Sequence, residues 1–142
     1  MTKVKSFVAV HLFLLQENQV LLLRRCNTDY MDGMYSVVAG HVEAGENVIQ
    51  AMHREAKEEA GITIDEADLH ITQVMHRKSD TERIDYFFIA TKWQCEIQNG
   101  EPNKCDDLSW FDIDKLPDNM IPYVRYAIGA SLQDQKFTLY GW

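Results

Sequence analysis

Residues 54–61 read REAKEEAG. The stretch has the form of a helix end, with Gly61 in the position of a C-terminal cap. Glu55, Glu58 and Glu59 crowd its last turn and a half. A helix C-terminus already carries partial negative charge, so carboxylates are unfavourable there. Glu55 and Glu59 also form an i,i+4 like-charge pair, which costs roughly a few tenths of a kcal/mol. At about 100° per residue, Ile49, Met52, Ala56 and Ala60 fall on one apolar stripe, and the three glutamates share an adjoining arc. Lys57 points elsewhere. A solvated acidic face is the plain reading of EAKEE alone. The functional reading is a cation site, because converging carboxylates are tolerable once a divalent ion neutralises them. Oxygen-only ligands select Mg2+, Mn2+ or Ca2+ over zinc.

Working outward, the helix is expected from about Asn47 to Ala60. It is preceded by the loop HVEAGE, and Glu46 lies near the helix start, the favourable end for an acid. Further upstream, KVKSFVAVHLFLLQ and VLLLRR flank a turn-like QENQ and read as a hairpin of buried strands. His11 interrupts the first apolar run, no small-residue cleavage site follows, and the run is too short to span a bilayer. YSVVAG reads as a short strand, and LHITQVMHRK and RIDYFFIATKWQCEI as longer ones. NGEPNKCDD reads as a loop, LSWFDI as a further short strand, and LPDNMIPYVRYAIGASLQ as containing a helix from near Pro122. Interleaved strands and helices without linker or repeat imply one domain over residues 1–142, of class α/β or α+β, with a mixed sheet.

A net charge of −8 disfavours a nucleic-acid polymer as partner, yet permits a small anion held through a metal. Cys26, Cys95 and Cys105 are odd in number and lack C-x-x-C spacing, which fits reduced thiols in a cytoplasmic protein. His41, His53 and His76 show no zinc spacing, and no D-x-D-x-D-G loop supports a calcium-binding hand.

Read from Gly40 to Ile62, the chain is G-HVEAG-E-NVIQAMH-RE-A-K-EE-A-G-I. This resembles the signature of the Nudix hydrolase family: Gly, five residues, Glu, seven residues, Arg-Glu, an aliphatic residue, one residue, Glu-Glu, one residue, Gly, an aliphatic residue. Every fixed position matches, with Ala56 the smallest residue that serves at the first aliphatic place. The resemblance implies an α/β/α sandwich, and hydrolysis of a nucleoside diphosphate linked to another group X with Mg2+ or Mn2+. It implies that Glu55, Glu58 and Glu59 bind the metal together with the backbone carbonyl of Ala39. It also implies that Arg54 pairs with Glu46 to lock the loop on the helix. Glu58 is the first candidate for the base that takes the proton of the attacking water, and a further metal ligand is its other role.

Outside this box, the resemblance suggests Arg25, with Arg24 beside it, as phosphate contacts, and Asn119 near a purine. Asp106 or Asp107 would supply a further acidic group. Tyr30, Tyr35, Tyr86 and Tyr123 are candidate stacking partners, whereas Trp110 and Phe111 suit the core. The expected substrate is a small nucleotide, foremost a nucleoside triphosphate cleaved to monophosphate and pyrophosphate. The alternatives are an ADP-ribose, nucleotide-sugar or dinucleotide pyrophosphatase, and a non-catalytic nucleotide sensor. No membrane association is expected, and a homodimer partner could add a second wall to the pocket.

Overall fold

The computed structural model describes all residues, Met1 to Trp142. Strand β1 (Phe7–Gln16) runs through its centre and is buried continuously from Ala9 to Leu14. Such a run has both faces covered. β1 turns at Glu17 and Asn18, both at positive φ, into β2 (Gln19–Arg25), the hairpin the sequence implies. The YSVVAG segment splits at Val37: β3 (Tyr35–Ser36) pairs with β2, and β4 (Val38–His41) crosses to pair antiparallel with β1.

β5 (His70–Lys78) and β6 (Glu82–Ala90) form an antiparallel pair, and β6 lies parallel to β1. The mixed sheet therefore runs β4-β1-β6-β5, extended at its far edge by β8 (Phe137–Tyr140), parallel to β5. β7 (Cys105–Asp112) pairs with β2.

Two helices complete the fold. α1 (Val48–Ala60) lies against β4 and β1, and α2 (Pro122–Leu132) against β5 and β8. Alternation along β1 places them on opposite faces. Val10, Leu12 and Leu14 pack with Ala51, Met52 and Ala56 of α1, while Phe13 packs with Val124, Ala127 and Ile128 of α2. The result is the expected α/β/α sandwich around a mixed sheet. No helix is long and apolar enough to cross a membrane.

Two expected boundaries differ, and one strand lies outside the expected set. The long strand expected through RIDYFFIATKWQCEI ends at Ala90. The following loop returns to the end of α1, where Gln98 N–H donates to the Ala60 carbonyl (2.9 Å) and Gly100 N–H to the Glu59 carbonyl (3.1 Å). Helix-end carbonyls lack intrahelical partners, and this loop supplies them. β7 begins at Cys105, inside the expected loop NGEPNKCDD, because residues 105–108 pair with Leu23–Arg25 of β2. β8 was not expected at all: FTLY is too short to stand out, and its pairing with β5 is nonlocal.

The carboxylate cluster and its cleft

α1 starts at a capping box. Asn47 accepts from the Gln50 amide, and the Gln50 side chain accepts from Asn47 N–H. It ends at Gly61, whose φ of 69° is the left-handed conformation that favours glycine. These two stops fix the helix, and with it the azimuth of each glutamate. Glu55 is buried in the apolar face with Met52 and Ala56, while Ile49 is only half-buried, so the acidic arc overlaps the core stripe rather than lying beside it. Glu59 is half-buried and Glu58 exposed.

Glu55 lies directly over Gly40. A Cβ at that position would run into its carboxylate, so the glycine is what lets the acid seat against β4. Glu59 reaches the same strand one residue earlier, accepting the Ala39 N–H at 2.8 Å. Because Ala39 spends its N–H on Glu59 rather than on β1, its carbonyl, which an extended residue presents on the same edge, faces the helix as well.

Arg54 is the counter-charge. Its Nε and Nη2 donate to the two oxygens of Glu46 (3.1 and 2.6 Å), its Nη1 to Glu55 (2.6 Å) and more distantly to Glu58 (3.4 Å), and its Nη2 to the His41 carbonyl (3.1 Å). One guanidinium thus ties the loop to the helix. The Glu46 bond in particular raises the Arg54 pKa above its ordinary value. Glu46 is held below the usual carboxylate range by the same partner.

Burial pushes the Glu55 carboxyl up despite Arg54, and pushes Glu59 well up, with Glu55 and Glu101 adding repulsion. As they stand, no three such groups converge on a single point. Like charges repel, and Arg54 lies among them. The donor set nonetheless suits a hard divalent cation. It is all oxygen, with carboxylates from one helix face and a backbone carbonyl opposite, and Glu59 is desolvated with no ion-pair partner.

The other expected residues are dispersed. Arg24, Arg25, Tyr30 and Tyr123 line a cleft of about 980 Å³ together with Ala39, Gly40 and the glutamates of α1. Arg24 Nε donates to Asp106 (2.7 Å) and Arg25 Nε to the Tyr30 carbonyl (2.8 Å). Tyr35 is buried, its hydroxyl donating to Asp107, and it does not line the cleft. Asn119 does not line it either. Its side chain donates to the Gly33 carbonyl and its own carbonyl accepts from Tyr35 N–H, so it latches β3 in place. Tyr86 packs against the α1-side core. Asp106 and Asp107 are turned to Arg24, Tyr35 and Ser109 rather than to the glutamates. From the loop before β7, Glu101 lines the cleft instead, together with Glu43 and Asp80 from other loops. Its sequence signal was a lone carboxylate between Gly100 and Pro102, with Gly100 required because a Cβ there would meet the Glu58 carbonyl.

The α2-side wall of the cleft holds a charged group outside the expected site residues. Asp85, fully buried, accepts from His11 Nε2 (3.0 Å) and from Arg77 Nε (2.7 Å) and Nη2 (3.3 Å). The Arg77 guanidinium lies 3.7 Å from the centre of the Tyr123 ring, and His11 stacks on Phe87. The available signal was His11 and Asp85, titratable residues inside otherwise apolar strands. Burial alone would raise the Asp85 carboxyl, but the bonds from His11 and Arg77 outweigh it and carry it from 3.8 down to about 2. A depressed carboxylate contributes stability above its unfolded value, and loses it as pH falls from 3.8 through 2. In denaturant titrations, the advantage of the parent over Asp85→Asn should therefore shrink by on the order of 2 kcal/mol between pH 5 and pH 2. A pH-independent difference would contradict the pairing.

Comparison with known proteins shows the family and the fold. Residues 5–128 match the model of the NUDIX domain. The chain is 33% identical over 109 residues to the NAD-capped RNA hydrolase NudC of Chromobacterium violaceum, covering 77% of this chain and 39% of that protein. It is 34% identical over 88 residues to the oxidized purine nucleoside triphosphate hydrolase of Danio rerio, covering 60% and 53%. It thus spans about two fifths to one half of the length of these curated relatives. Among solved structures, a MutT NUDIX hydrolase from Burkholderia pseudomallei superposes with a TM-score of 0.81 at 23% identity, over 88% of this chain and 97% of that one. A bifunctional NMN adenylyltransferase/ADP ribose pyrophosphatase from Francisella tularensis, complexed with AMP and a Mn ion, superposes at 0.77 with 19% identity, over 95% and 43%. These last two likenesses are ones of fold.

Proposed function

This chain belongs to the Nudix family, and on that premise we propose that it hydrolyses a nucleoside diphosphate linked to a further group X. The observation that supports this most is the convergence of Glu55, Glu59 and the Ala39 edge around Gly40, with Arg54 bridging helix and loop. In this reading Glu55, Glu59 and the Ala39 carbonyl hold Mg2+ or Mn2+, and Glu101 adds negative charge beside them. When bound, the ion neutralises phosphate oxygens and acidifies a water. The remaining work belongs to the chain. Arg54 and Glu46 fix the loop so that Gly40 and Ala39 stay against the helix. Glu58, exposed and only distantly engaged by Arg54, takes the proton from the attacking water. Arg24 and Arg25, anchored through their Nε atoms, present their outer N–H groups to the phosphates.

The substrate we favour is a nucleoside triphosphate, released as monophosphate and pyrophosphate. The cleft lies between the sheet, α1 and the Tyr30 loop, and Tyr30 and Tyr123 offer flat aromatic surface for one base. A second reading, a dinucleotide or ADP-ribose pyrophosphatase, is favoured by the cleft volume of about 980 Å³, at the upper end for small-ligand pockets. Initial rates at equal subsaturating concentration separate the two, since their ratio reports kcat/KM. The triphosphate should be cleaved faster. ADP-ribose winning by about tenfold, roughly 1.4 kcal/mol of transition-state preference, would replace the first reading by the second.

A further inference from the structure

The cleft has an acidic side and a second wall that the diphosphate chemistry leaves unused. In that wall His11 is 3% exposed, and its Nδ1 is the one buried side-chain polar atom in the chain without a hydrogen-bond partner. Leaving such an atom unpaired is costly, which is a reason to look for the partner in a ligand. His11 lines the cleft along with Arg77 and Tyr123, so the ring borders the same space as Glu55 and Glu59. It is also close to them through the sheet. Its register partner on β4 is Ala39, whose N–H is held by Glu59. The two strands are about 4.8 Å apart, and although the His11 ring lies on the α2 side of the sheet and the glutamates on the α1 side, both line the one cleft.

The chemistry of the wall follows from its bonds. Asp85 is ionised and accepts only, so the hydrogen bond to His11 assigns a proton to Nε2. That leaves Nδ1 as the ring atom without a partner, and a ring carrying its single proton on Nε2 presents a lone pair there. Arg77 commits Nε and Nη2 to Asp85, and its Nη1 has no protein partner. The charges of Arg77 and Asp85 cancel, so the wall does not call for another phosphate. It offers one acceptor and one donor, backed by the Tyr123 ring and Phe87.

We infer that His11 Nδ1 and Arg77 Nη1 form a recognition subsite for an uncharged group carrying a hydrogen-bond donor beside an acceptor, on the portion of the substrate beyond the cleaved diphosphate. Two parts of a nucleotide carry that chemistry: the N–H/C=O edge of an oxo-base and the hydroxyls of the sugar. The inference rests on the reading of the site as a nucleotide hydrolase. His11 and Arg77 act here in specificity, not in bond cleavage.

The test uses the full chain and two side-chain replacements with opposite consequences. In His11→Gln the amide nitrogen keeps the bond to Asp85 but places no acceptor at Nδ1. In His11→Asn the side-chain oxygen takes the place of Nδ1 but the nitrogen no longer reaches Asp85. Substrates are compared in pairs: inosine triphosphate against the triphosphate of unsubstituted purine riboside for the base edge, and ribo- against 2′-deoxy-inosine triphosphate for the sugar. The wild type should prefer the bearer of the recognised group by about tenfold or more in kcat/KM, in one pair. His11→Gln should reduce that preference to under about threefold, through KM rather than kcat, while melting as the wild type does. His11→Asn should keep the preference although it melts lower, the reverse of what a purely structural histidine would give. In parallel, the imidazole 15N resonances of His11 are followed while inosine monophosphate is titrated in. The Nδ1 resonance should move toward the hydrogen-bonded range. Turnover with an unmoved Nδ1 and unchanged preference in His11→Gln overturns the subsite and leaves the hydrolase standing. A moved Nδ1 without turnover of any nucleotide upholds the subsite and overturns the hydrolase. Neither response overturns both.

Discussion

Glu59→Gln should lose at least the roughly 10–100-fold in turnover that removal of an outer partner of a metal ligand costs, while the chelated protein melts no lower than the wild type. The two effects have one cause. Burial pushes the Glu59 carboxyl well above its ordinary range, and Glu55 and Glu101 add repulsion. Its place at the negative end of α1 adds more. A glutamine keeps the oxygen that accepts the Ala39 N–H at 2.8 Å and removes the buried charge. The folded chain without cation therefore gains a little or stays level, whereas the site loses a ligand. Tm in chelator and rate in Mg2+ are the two readings. Full activity in Glu59→Gln would remove this glutamate from the metal set. A large drop in chelated Tm would show that the carboxylate stabilises the fold.

Arg54→Lys should cost about 10–100-fold in turnover, as a change in an outer hydrogen-bond partner does, with the fold retained. The guanidinium spans both oxygens of Glu46, one oxygen of Glu55 and the His41 carbonyl at once. A lysine ammonium is a compact point charge and cannot reproduce the fork. With the loop released, Gly40 and Ala39 no longer sit against the helix in a fixed relation to Glu55 and Glu59. Circular dichroism checks that α1 persists, and the rate in Mg2+ checks the geometry. A lysine variant as active as the parent would reduce the bridge to a surface contact.

Much of this was legible in the sequence because it is local. The capping residue Asn47, the stop at Gly61 and the crowding of Glu55, Glu58 and Glu59 lie within one helix, and helical periodicity relates them directly. The hairpin around Glu17 and Asn18 is local too. What escaped depends on which strands meet. Nothing near Asp106 announces Arg24 as its partner across β2 and β7, so an extra acidic ligand was sought there when Glu101 occupies the cleft. Tyr35 and Asn119 looked like substrate contacts by position, but the crossing from β3 to β4 turns Tyr35 inward and makes Asn119 its latch. The His11–Asp85–Arg77 group joins three strands, and although Arg77 and Asp85 share one hairpin, His11 comes from a strand far away in the chain. A histidine in an apolar strand hints at such a group without naming its partners.

The central claim is hydrolysis of a diphosphate linkage that depends on a divalent ion at the glutamates of α1. It is tested most directly by incubating the wild-type chain with a panel of nucleoside triphosphates, ADP-ribose and dinucleotides in oxygen-18 water. The panel is run once with Mg2+ and once with chelator, and the products are identified by mass. The expected result is a nucleoside monophosphate from at least one compound, with the heavy oxygen in one product and no cleavage in chelator. Release of product at the same rate in chelator, or no cleavage of any compound in Mg2+, would contradict it.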